Sequence, residues 1–257
     1  LIIDSNGTDL ESTSFFEGKN NTIRLIDKYK ARGIGDLYNC ITVDCLNLGT
    51  GGEGKTMGLA PYGNYGSKII DFSKVHFDGV ATDYSSIMKR MPHSDILSTE
   101  HKKILPRLIA KIKKRKNSSN IMKGNWKRIA YDLQCETERC LIHLGKEIQK
   151  KTKSSNICLA GGVALNSVAN QKLFNSTKFK NIFVYPACSD AGVPFGLAAW
   201  ALYNHSKLIK KKPKRILLKN AYTGTNYSSE RINSVLKKYK ISSKKLKLSE
   251  IANHLSK

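Results

Sequence analysis

Residues 49–56 are the first stretch of this sequence that suggests chemistry, because they read GTGGEGKT and match the phosphate-loop pattern G-x-x-x-x-G-K-[ST]. In a phosphate loop, a buried strand leads through a glycine-rich turn into a long helix. Backbone N–H groups hold the phosphates, the Lys reaches the terminal phosphate, and the Ser/Thr hydroxyl binds Mg²⁺. Taken alone, the motif predicts nucleotide binding by Lys55 and Thr56.

The sequence on either side of this motif argues against a phosphate loop. Downstream, Pro61 and Gly63 end any helix after little more than one turn. Upstream, apolar residues between positions 37 and 48 recur at helical spacing, whereas a phosphate loop needs a strand there. The β-branched run 41–43 leaves a strand open as the alternative. We therefore expect this glycine-rich segment to serve another purpose.

Three other turns share one design, in which a short apolar strand ends in small or acidic residues. Glycine lets a backbone approach a ligand closely, helix N-termini attract phosphate, and carboxylates at strand ends can hold a phosphate-bound metal. Each turn alone is a weak signal, since a Gly-Gly pair is usually a plain turn and an Asp after a strand is often a helix cap. Together they predict a nucleotide cleft lined by strand ends. The turns are Asp4-Ser5-Asn6-Gly7, Gly161-Gly162 with Asn166 one turn later, and Asp190-Ala191-Gly192.

The first half of the chain has only moderate periodic signals. Residues 1–29 alternate as in a β-meander, and residues 36–47 have a helical pattern. We expect residues 75–87 to be extended. Residues 94–124 are polar and basic, with helical patches and little sign of a core.

The second half predicts an α/β layer architecture. The strongest helix runs from Trp126 to Lys150, with apolar residues on one face at steps of three and four. A strand at 157–160 then leads into a short helix at 163–174. A second strand at 182–185 leads into an apolar helix through Tyr203, and this repeat of strand, turn and helix is typical of α/β folds.

Three segments resemble motifs of one known family. Residues 53–63, EGKTMGLAPYG, resemble the EGKxMGLAPYG signature of the O-carbamoyltransferases, the nodulation-factor and antibiotic-modifying group. Residues 159–170, LAGGVALNSVAN, resemble the adenosine motif of that family, and residues 183–198 are similar to its FxxPaxsDxGxxxGaA stretch. The motifs occur in the family's order, and the resemblance covers nearly all of residues 1–205.

The resemblance implies an α/β fold with two domains. Residues 1–205 would be the second, C-terminal half of an actin/hexokinase-like (ribonuclease H-like) ATPase domain, which is the catalytic domain. Residues 206–214 would be a basic linker, and residues 215–257 the incomplete start of a YrdC-like domain that forms carbamoyl-adenylate. We therefore expect an internal fragment whose partners include the N-terminal half of the catalytic domain and the rest of the YrdC-like domain.

The resemblance also implies a two-stage reaction. The YrdC-like domain would combine carbamoyl phosphate with ATP to give carbamoyl-adenylate, and the actin-like domain would move the carbamoyl group to a small hydroxyl-bearing acceptor. Joining the carbamoyl group to AMP supplies a good leaving group, and a divalent metal, Fe²⁺ or Mg²⁺, would polarise the carbonyl. The sequence does not name the acceptor, which could be a sugar, an aminoglycoside-like antibiotic or a lipid-linked glycan.

Site residues follow from the resemblance position by position. Those expected to contact the nucleotide are Asp4, Gly7, Gly161, Gly162, Asn166 and Gly192. Asp190 would bind the metal. Glu53 and Lys55 would be catalytic, with Lys55 offsetting phosphate charge and Glu53 pairing with it, although a purely structural ion pair is the alternative for these two.

Three parts of the family pattern are missing from the sequence. The metal site of the family also needs two histidines from an H-x-x-x-H helix, and the six histidines of this chain do not have that spacing. The first phosphate hairpin and most of the adenylate-forming domain are missing too. We therefore expect this polypeptide to be inactive by itself.

Composition restricts the remaining possibilities. The net charge of +24 would favour polyanions, but the charge comes mostly from dispersed Lys, and the densest run, 111–116, has no aromatic residue. We therefore do not expect a nucleic-acid partner. No run approaches the length of a membrane span, and no C-x-x-C pair occurs among the six cysteines, so we expect a cytoplasmic protein without a membrane partner. The alternatives left open are a sugar kinase-like phosphotransferase of the same fold and a basic nucleic-acid-binding module.

Overall fold

The computed structural model describes residues 1–5, 7, 9–20, 22–73, 75–85, 120–210, 218, 221–222 and 224–256. The chain divides into two compact units, Leu1–Pro213 and Lys214–Lys257. The strands are β1 (Ile2–Ile3), β2 (Thr13–Lys19), β3 (Thr22–Tyr29), β4 (Asn156–Leu159) and β5 (Asn181–Val184). The helices are α1 (Ile34–Cys40), α2 (Glu53–Leu59), α3 (Trp126–Thr152), α4 (Ser167–Asn175), α5 (Val193–Leu208), α6 (Ser229–Lys238) and α7 (Leu248–Leu255).

β1 joins an antiparallel meander to a pair of parallel strands. β1 pairs with β2 and β2 with β3, both antiparallel, so the predicted meander is confirmed. β4 and β5 are parallel. A parallel bridge between Ile2 and Ala160 places β1 beside the end of β4, with Ile3 N–H donating to Ala160 O at 2.9 Å. The strands therefore follow one another in the order β3, β2, β1, β4, β5.

The long helix α3 forms the centre of the apolar core. Most of its apolar residues at steps of three and four are buried, with Leu133, Leu141 and Leu144 fully so, whereas Trp126 at the start is partly buried. The predicted helix is confirmed and ends at Lys153, whose left-handed backbone terminates it. Both α4 and the turn after α2 pack against α3. α3 thus supports two of the three motif segments, 53–63 and 159–170.

The segment around residues 49–56 is not a phosphate loop. It is preceded by α1 and a π-helical turn, Ile41–Cys45, so the helical prediction is confirmed and the strand alternative is wrong. α2 has seven residues and passes directly into a 3-10 turn, Ala60–Gly63. The Thr56 hydroxyl, which would bind Mg²⁺ in a phosphate loop, is fully buried and bonded to Thr42 Oγ1 at 2.8 Å.

A buried ion pair fixes the end of this segment onto α3. Arg128 lies with its Nε 3.4 Å from Asp132 Oδ1, and both side chains are buried. Arg128 also donates to the carbonyl of Gly63, and Asp132 Oδ2 accepts from the N–H groups of Ile69 and Ile70. A side chain at Gly63 would clash with the carbonyl of Lys127, so the glycine allows the close approach.

Two predictions of secondary structure need correction. The helix expected at 163–174 is divided into a 3-10 turn, Gly162–Leu165, and α4, because Asn166 leaves helical geometry and caps α4. Within residues 75–85 the expected extended segment is reduced to a single bridge between Asp78 and Ala81. Residues 86–119, which include most of the predicted basic segment, lie outside the described residues.

The second unit contains α6 and α7. The sequence offers Ser228 or Ser229 as the start of a helix here, and Ser228 caps α6 with its hydroxyl accepting from Arg231 N–H at 3.2 Å. The sequence also predicts a strand at 216–218, which lies outside the described residues except for Leu218. In the part of the chain that the structure describes, no helix combines the length and the apolar character needed to cross a membrane.

Candidate functional site

A cleft of about 370 Å³ opens in the first unit where the ends of β1 and β4 face α1 and α2. Its walls come from four chain segments that are far apart in sequence, together with one residue of α3. Four of the predicted site residues meet here. The lining residues are Asp4, Ser5, Gly35, Tyr38, Asn39, Gly51, Glu53, Gly54, Met57, Thr137, Gly162, Val163, Leu165 and Asn166.

Asp4 organises one end of the cleft. It follows β1, and its Oδ1 accepts from Ser5 N–H at 2.8 Å while its Oδ2 accepts from Gly162 N–H at 3.1 Å. The carboxylate therefore holds the turn after β4 against the end of β1. Charge-assisted bonds of this type are stronger than neutral ones, so Asp4 stabilises the geometry of the cleft.

The two glycines after β4 have different surroundings. Gly161 is buried, has a φ of +91°, and leaves no space for a side chain because its Cβ would meet Ile3 O. Gly162 lines the cleft, and a Cβ there would lie 3.3 Å from Asp4 Oδ1. Gly161 thus permits the close packing of the turn on β1, whereas Gly162 leaves room inside the cleft.

Asn166 is held by a residue that the sequence analysis missed. Its Nδ2 donates to Gln134 Oε1 at 2.8 Å, and its Oδ1 accepts from Gln134 Nε2 at 3.2 Å. Gln134 also accepts a long bond of 3.4 Å from the hydroxyl of Tyr38. The sequence contains a sign of this role. Gln134 lies four positions after Ala130 and three before Thr137, which places a polar residue on the buried face of α3, where it must find hydrogen-bond partners.

Glu53 and Lys55 lie at different places on α2. Glu53 is half-buried in the wall of the cleft, where its Oε1 accepts from Asn39 Nδ2 at 2.8 Å. Lys55 is exposed and is not one of the lining residues. Residues two apart in a helix point in different directions, and within the described residues Glu53 bonds to Asn39 rather than to Lys55.

The electrostatic character of the cleft is acidic despite the charge of the chain. Asp4 and Glu53 supply carboxylates, while the lining residues found in the described chain include no Lys, Arg or His. Burial raises the pKa of the Tyr38 hydroxyl, so this group stays protonated as a donor. Beneath the cleft, burial raises the pKa of the Asp36 carboxyl to about 6, with Arg32 opposing and Asp4 adding to the shift. Phosphate bound here needs backbone N–H groups or a cation.

The loop after β5 lies beside this turn without lining the cleft. Gly161 N–H donates to Cys188 O at 2.8 Å, which joins the loops after β4 and β5. Asp190 follows two positions later, is exposed, and starts a 3-10 turn that leads into α5. Gly192 is needed for packing there, because its Cβ would meet Ala187 O.

Gly7 lies away from the cleft, and the described residues contain no complete metal site. Gly7 lies in the loop between β1 and β2, where it exchanges backbone hydrogen bonds with Leu10 and Glu11, and it does not line the cleft. Within the described residues, no group of three or more His, Cys, Asp or Glu side chains could hold a metal ion. Asp190 as a ligand would need partners beyond these residues. His143 bonds to Gly79 O at 2.7 Å.

The cysteines of the described chain are all free thiols. Burial raises the pKa values of the Cys40, Cys45 and Cys140 thiols to about 12, which keeps them protonated and unreactive. Cys135 and Cys158 are exposed. The buried cysteines thus act as small apolar residues of the core.

Comparison with known proteins identifies relatives over most of the chain. The family model described as the carbamoyltransferase N-terminus matches residues 1–199. An uncharacterized protein of Synechocystis is 31% identical over 232 residues, which are 88% of this chain and 36% of that protein.

Two nodulation proteins are similar as well. The nodulation protein NolO of Bradyrhizobium diazoefficiens is 29% identical over 227 residues, 87% of this chain and 38% of its own length. The nodulation protein NolNO of Sinorhizobium fredii is 29% identical over 232 residues, 90% of this chain and 31% of its own length. The chain spans about a third of the length of the curated relatives it matches.

Proposed function

The chain belongs to the carbamoyltransferase family, and from this premise we propose that it takes part in moving a carbamoyl group from carbamoyl-adenylate to the hydroxyl of a small acceptor. The observation that carries the proposal is the cleft itself. Two of the three motif segments, 53–63 and 159–170, supply Glu53, Gly162 and Asn166 to one cavity, together with Asp4.

The transfer step replaces the AMP oxygen on the carbamoyl carbon with the acceptor oxygen. The acceptor oxygen forms a bond to the carbamoyl carbon, the bond from that carbon to the AMP phosphate oxygen breaks, and AMP leaves. The acceptor hydroxyl proton must go to a base. We assign this role to Glu53, because Asp4 is the cleft carboxylate with both oxygens engaged by backbone N–H groups, whereas Asn39 holds only Oε1 of Glu53.

We propose that the nucleotide binds at the end of the cleft that Gly162 and Asn166 line. Gly162 gives it room, and Asn166 offers a hydrogen bond. Lys55 remains a candidate for phosphate contact from outside the described cleft. Gly7, Gly161 and Gly192 are assigned to shaping the loops around it.

A divalent metal stays part of the proposal for the complete protein. A bound metal would polarise the carbamoyl carbonyl. Among the described residues, Asp190 is the ligand that we propose for this metal. The carbamoyl phosphate and ATP that form carbamoyl-adenylate are assigned to the YrdC-like segment, whose start we place at 215–257.

The actin-like, ribonuclease H-like fold is also proposed. It is supported by the order β3, β2, β1, β4, β5, in which an antiparallel meander continues into two parallel strands followed by helices. We propose that transfer itself needs the segments that the longer relatives carry beyond the matched third of their length.

Ligand preference of this chain tests the proposed function. Calorimetry with AMP, ATP and a sulfamoyl-linked analogue of carbamoyl-adenylate should show saturable binding, with the analogue about tenfold tighter than AMP. Glu147→Gln replaces a carboxylate on the distant part of α3, away from the cleft, and should bind all three ligands as the unaltered chain does. An analogue no tighter than AMP, with ATP tightest, would instead indicate the phosphotransferase alternative.

A further inference from the structure

Gln134 has all four of its amide hydrogen-bonding positions occupied. Its Oε1 accepts from Asn166 Nδ2 and from the Tyr38 hydroxyl, and its Nε2 donates to Asn166 Oδ1 and to Glu138 Oε1 at 3.1 Å. The side chain is only 5% exposed. A buried amide with every position satisfied has one orientation, because turning it over would set donor against donor and acceptor against acceptor.

The orientation of the Asn166 amide follows from its neighbours. Ala169 N–H can only donate, and it bonds to Asn166 Oδ1 at 3.0 Å. That oxygen also accepts from Gln134 Nε2, so both of its lone pairs are used. On the nitrogen side, one N–H bonds to Gln134 Oε1. Among the bonds of the described chain, one N–H of Asn166 is left over.

We propose that Gln134 is a positioning residue, which fixes the Asn166 amide so that Asn166 presents a single N–H donor to the ligand of the cleft. The ligand must then place a hydrogen-bond acceptor there, such as a ring nitrogen or a hydroxyl or phosphate oxygen. The identity of that ligand as an adenine nucleotide rests on the proposed function, whereas the orientation of Asn166 does not.

Gln134→Glu tests the proposal because it changes one donor into an acceptor. At pH 8 the carboxylate has no N–H for Asn166 Oδ1 and repels Glu138, so the AMP affinity should fall about tenfold. At pH 5 the introduced carboxyl takes up a proton and can donate again, so the ratio of variant to unaltered affinity should recover. Unfolding of the variant at both pH values, together with the ligand-free measurement below, separates this positioning role from a purely structural one.

Two further variants complete the experiment. Gln149→Glu makes the same change on α3 where the side chain accepts only from Lys178 N–H, and its AMP affinity should match the unaltered chain at both pH values. Gln134→Met removes both donors without adding charge, so it should lose affinity about tenfold at both. It replaces Gln134→Glu should that variant not fold.

A ligand-free measurement separates this inference from the proposed function. The side-chain N–H₂ signals of Asn166, assigned by their loss in Asn166→Asp, should show one proton protected from hydrogen exchange. Both protons should exchange rapidly in Gln134→Met, which lacks the oxygen that accepts from Asn166 Nδ2. Unchanged Asn166 signals in Gln134→Met would overturn the inference even if AMP binds. Changed signals without any AMP binding would support the positioning role and count against the nucleotide site.

Discussion

The backbone N–H of Gly162 donates to Asp4 Oδ2 at 3.1 Å, although 158 positions separate the two residues in the chain. The same carboxylate accepts from Ser5 N–H with its other oxygen. The end of β1 and the turn after β4 are thus held by one side chain, and the shape of the cleft depends on it.

Replacing Asp4 should destabilise the fold as well as the cleft. In Asp4→Asn one carboxylate oxygen becomes an N–H₂ group, which cannot accept from Gly162 or Ser5. We expect the free energy of unfolding to fall by about 2 kcal/mol, measured by denaturant titration. The control is Asp9→Asn, since Asp9 is exposed and pairs with Lys28 at the surface, where solvent screens the pair and the loss should be much smaller than in Asp4→Asn. Equal losses in both variants would contradict the role of Asp4.

The paired glycines should separate stability from binding. Gly161→Ala places a methyl group against Ile3 O at a positive φ, so it should lower the free energy of unfolding by about 2–3 kcal/mol. Gly162→Val should fold with a smaller loss but bind AMP at least tenfold more weakly, because its methyl groups would occupy cleft space. Thermal unfolding and calorimetry on both variants check this. Normal AMP binding by folded Gly162→Val would rule out the nucleotide position.

Asp36 should make stability decrease as pH rises from about 4 to about 6. Burial raises the pKa of its carboxyl from 3.8 to about 6, so across this interval the folded chain keeps a proton that the unfolded chain has lost. The stability of Asp36→Asn relative to the unaltered chain should therefore grow by about 2–3 kcal/mol from pH 4 to pH 7. Denaturant unfolding at several pH values measures it. For Asp9, whose pKa Lys28 lowers, the corresponding Asn variant should change in the opposite direction.

Breaking the buried ion pair under the residue 53–63 segment should cost more than breaking a surface pair. Asp132→Asn leaves Arg128 buried without its counter-charge, and we expect a loss of about 3 kcal/mol in the free energy of unfolding. Glu147→Gln removes the partner of the exposed Lys150 on the same helix and should cost no more than about 0.5 kcal/mol. A loss below about 1 kcal/mol in Asp132→Asn would show that water reaches Arg128.

The spacing of apolar residues along the sequence was enough to predict the helices and strands in which that spacing is regular. α3 has apolar residues at helical spacing over seven turns, and β4 and β5 are short apolar runs, each followed by a turn and a helix. The division of the helix after β4 was not predicted, because Asn166 is compatible with a helix interior. The bond from Ala169 N–H to the Asn166 side chain makes Asn166 the N-cap of α4 and ends the preceding 3-10 turn. That bond depends on the loop geometry, which the sequence alone does not show.

The sequence predicted some residues of the cleft and missed others, because it does not show which segments come together. Motif resemblance selected Glu53, Gly162 and Asn166, but it could not show that Lys55 points away from the cleft that Glu53 lines. Gln134 was missed because the buried face of α3 was treated as apolar throughout. A polar residue on such a face must find hydrogen bonds, and its partners lie in other segments that a single-sequence pattern does not identify.

The position of β1 between two sheets has a consequence for unfolding. Ile3 N–H bonds to Ala160 O and Ala160 N–H to Leu1 O, so the three-stranded meander and the parallel pair share these amides. Neither sheet can open fully while the other keeps β1 in place. The amide protons of Ile3 and Ala160 should then exchange with deuterium at a common, slow rate, which would mark the five strands as one cooperative folding unit.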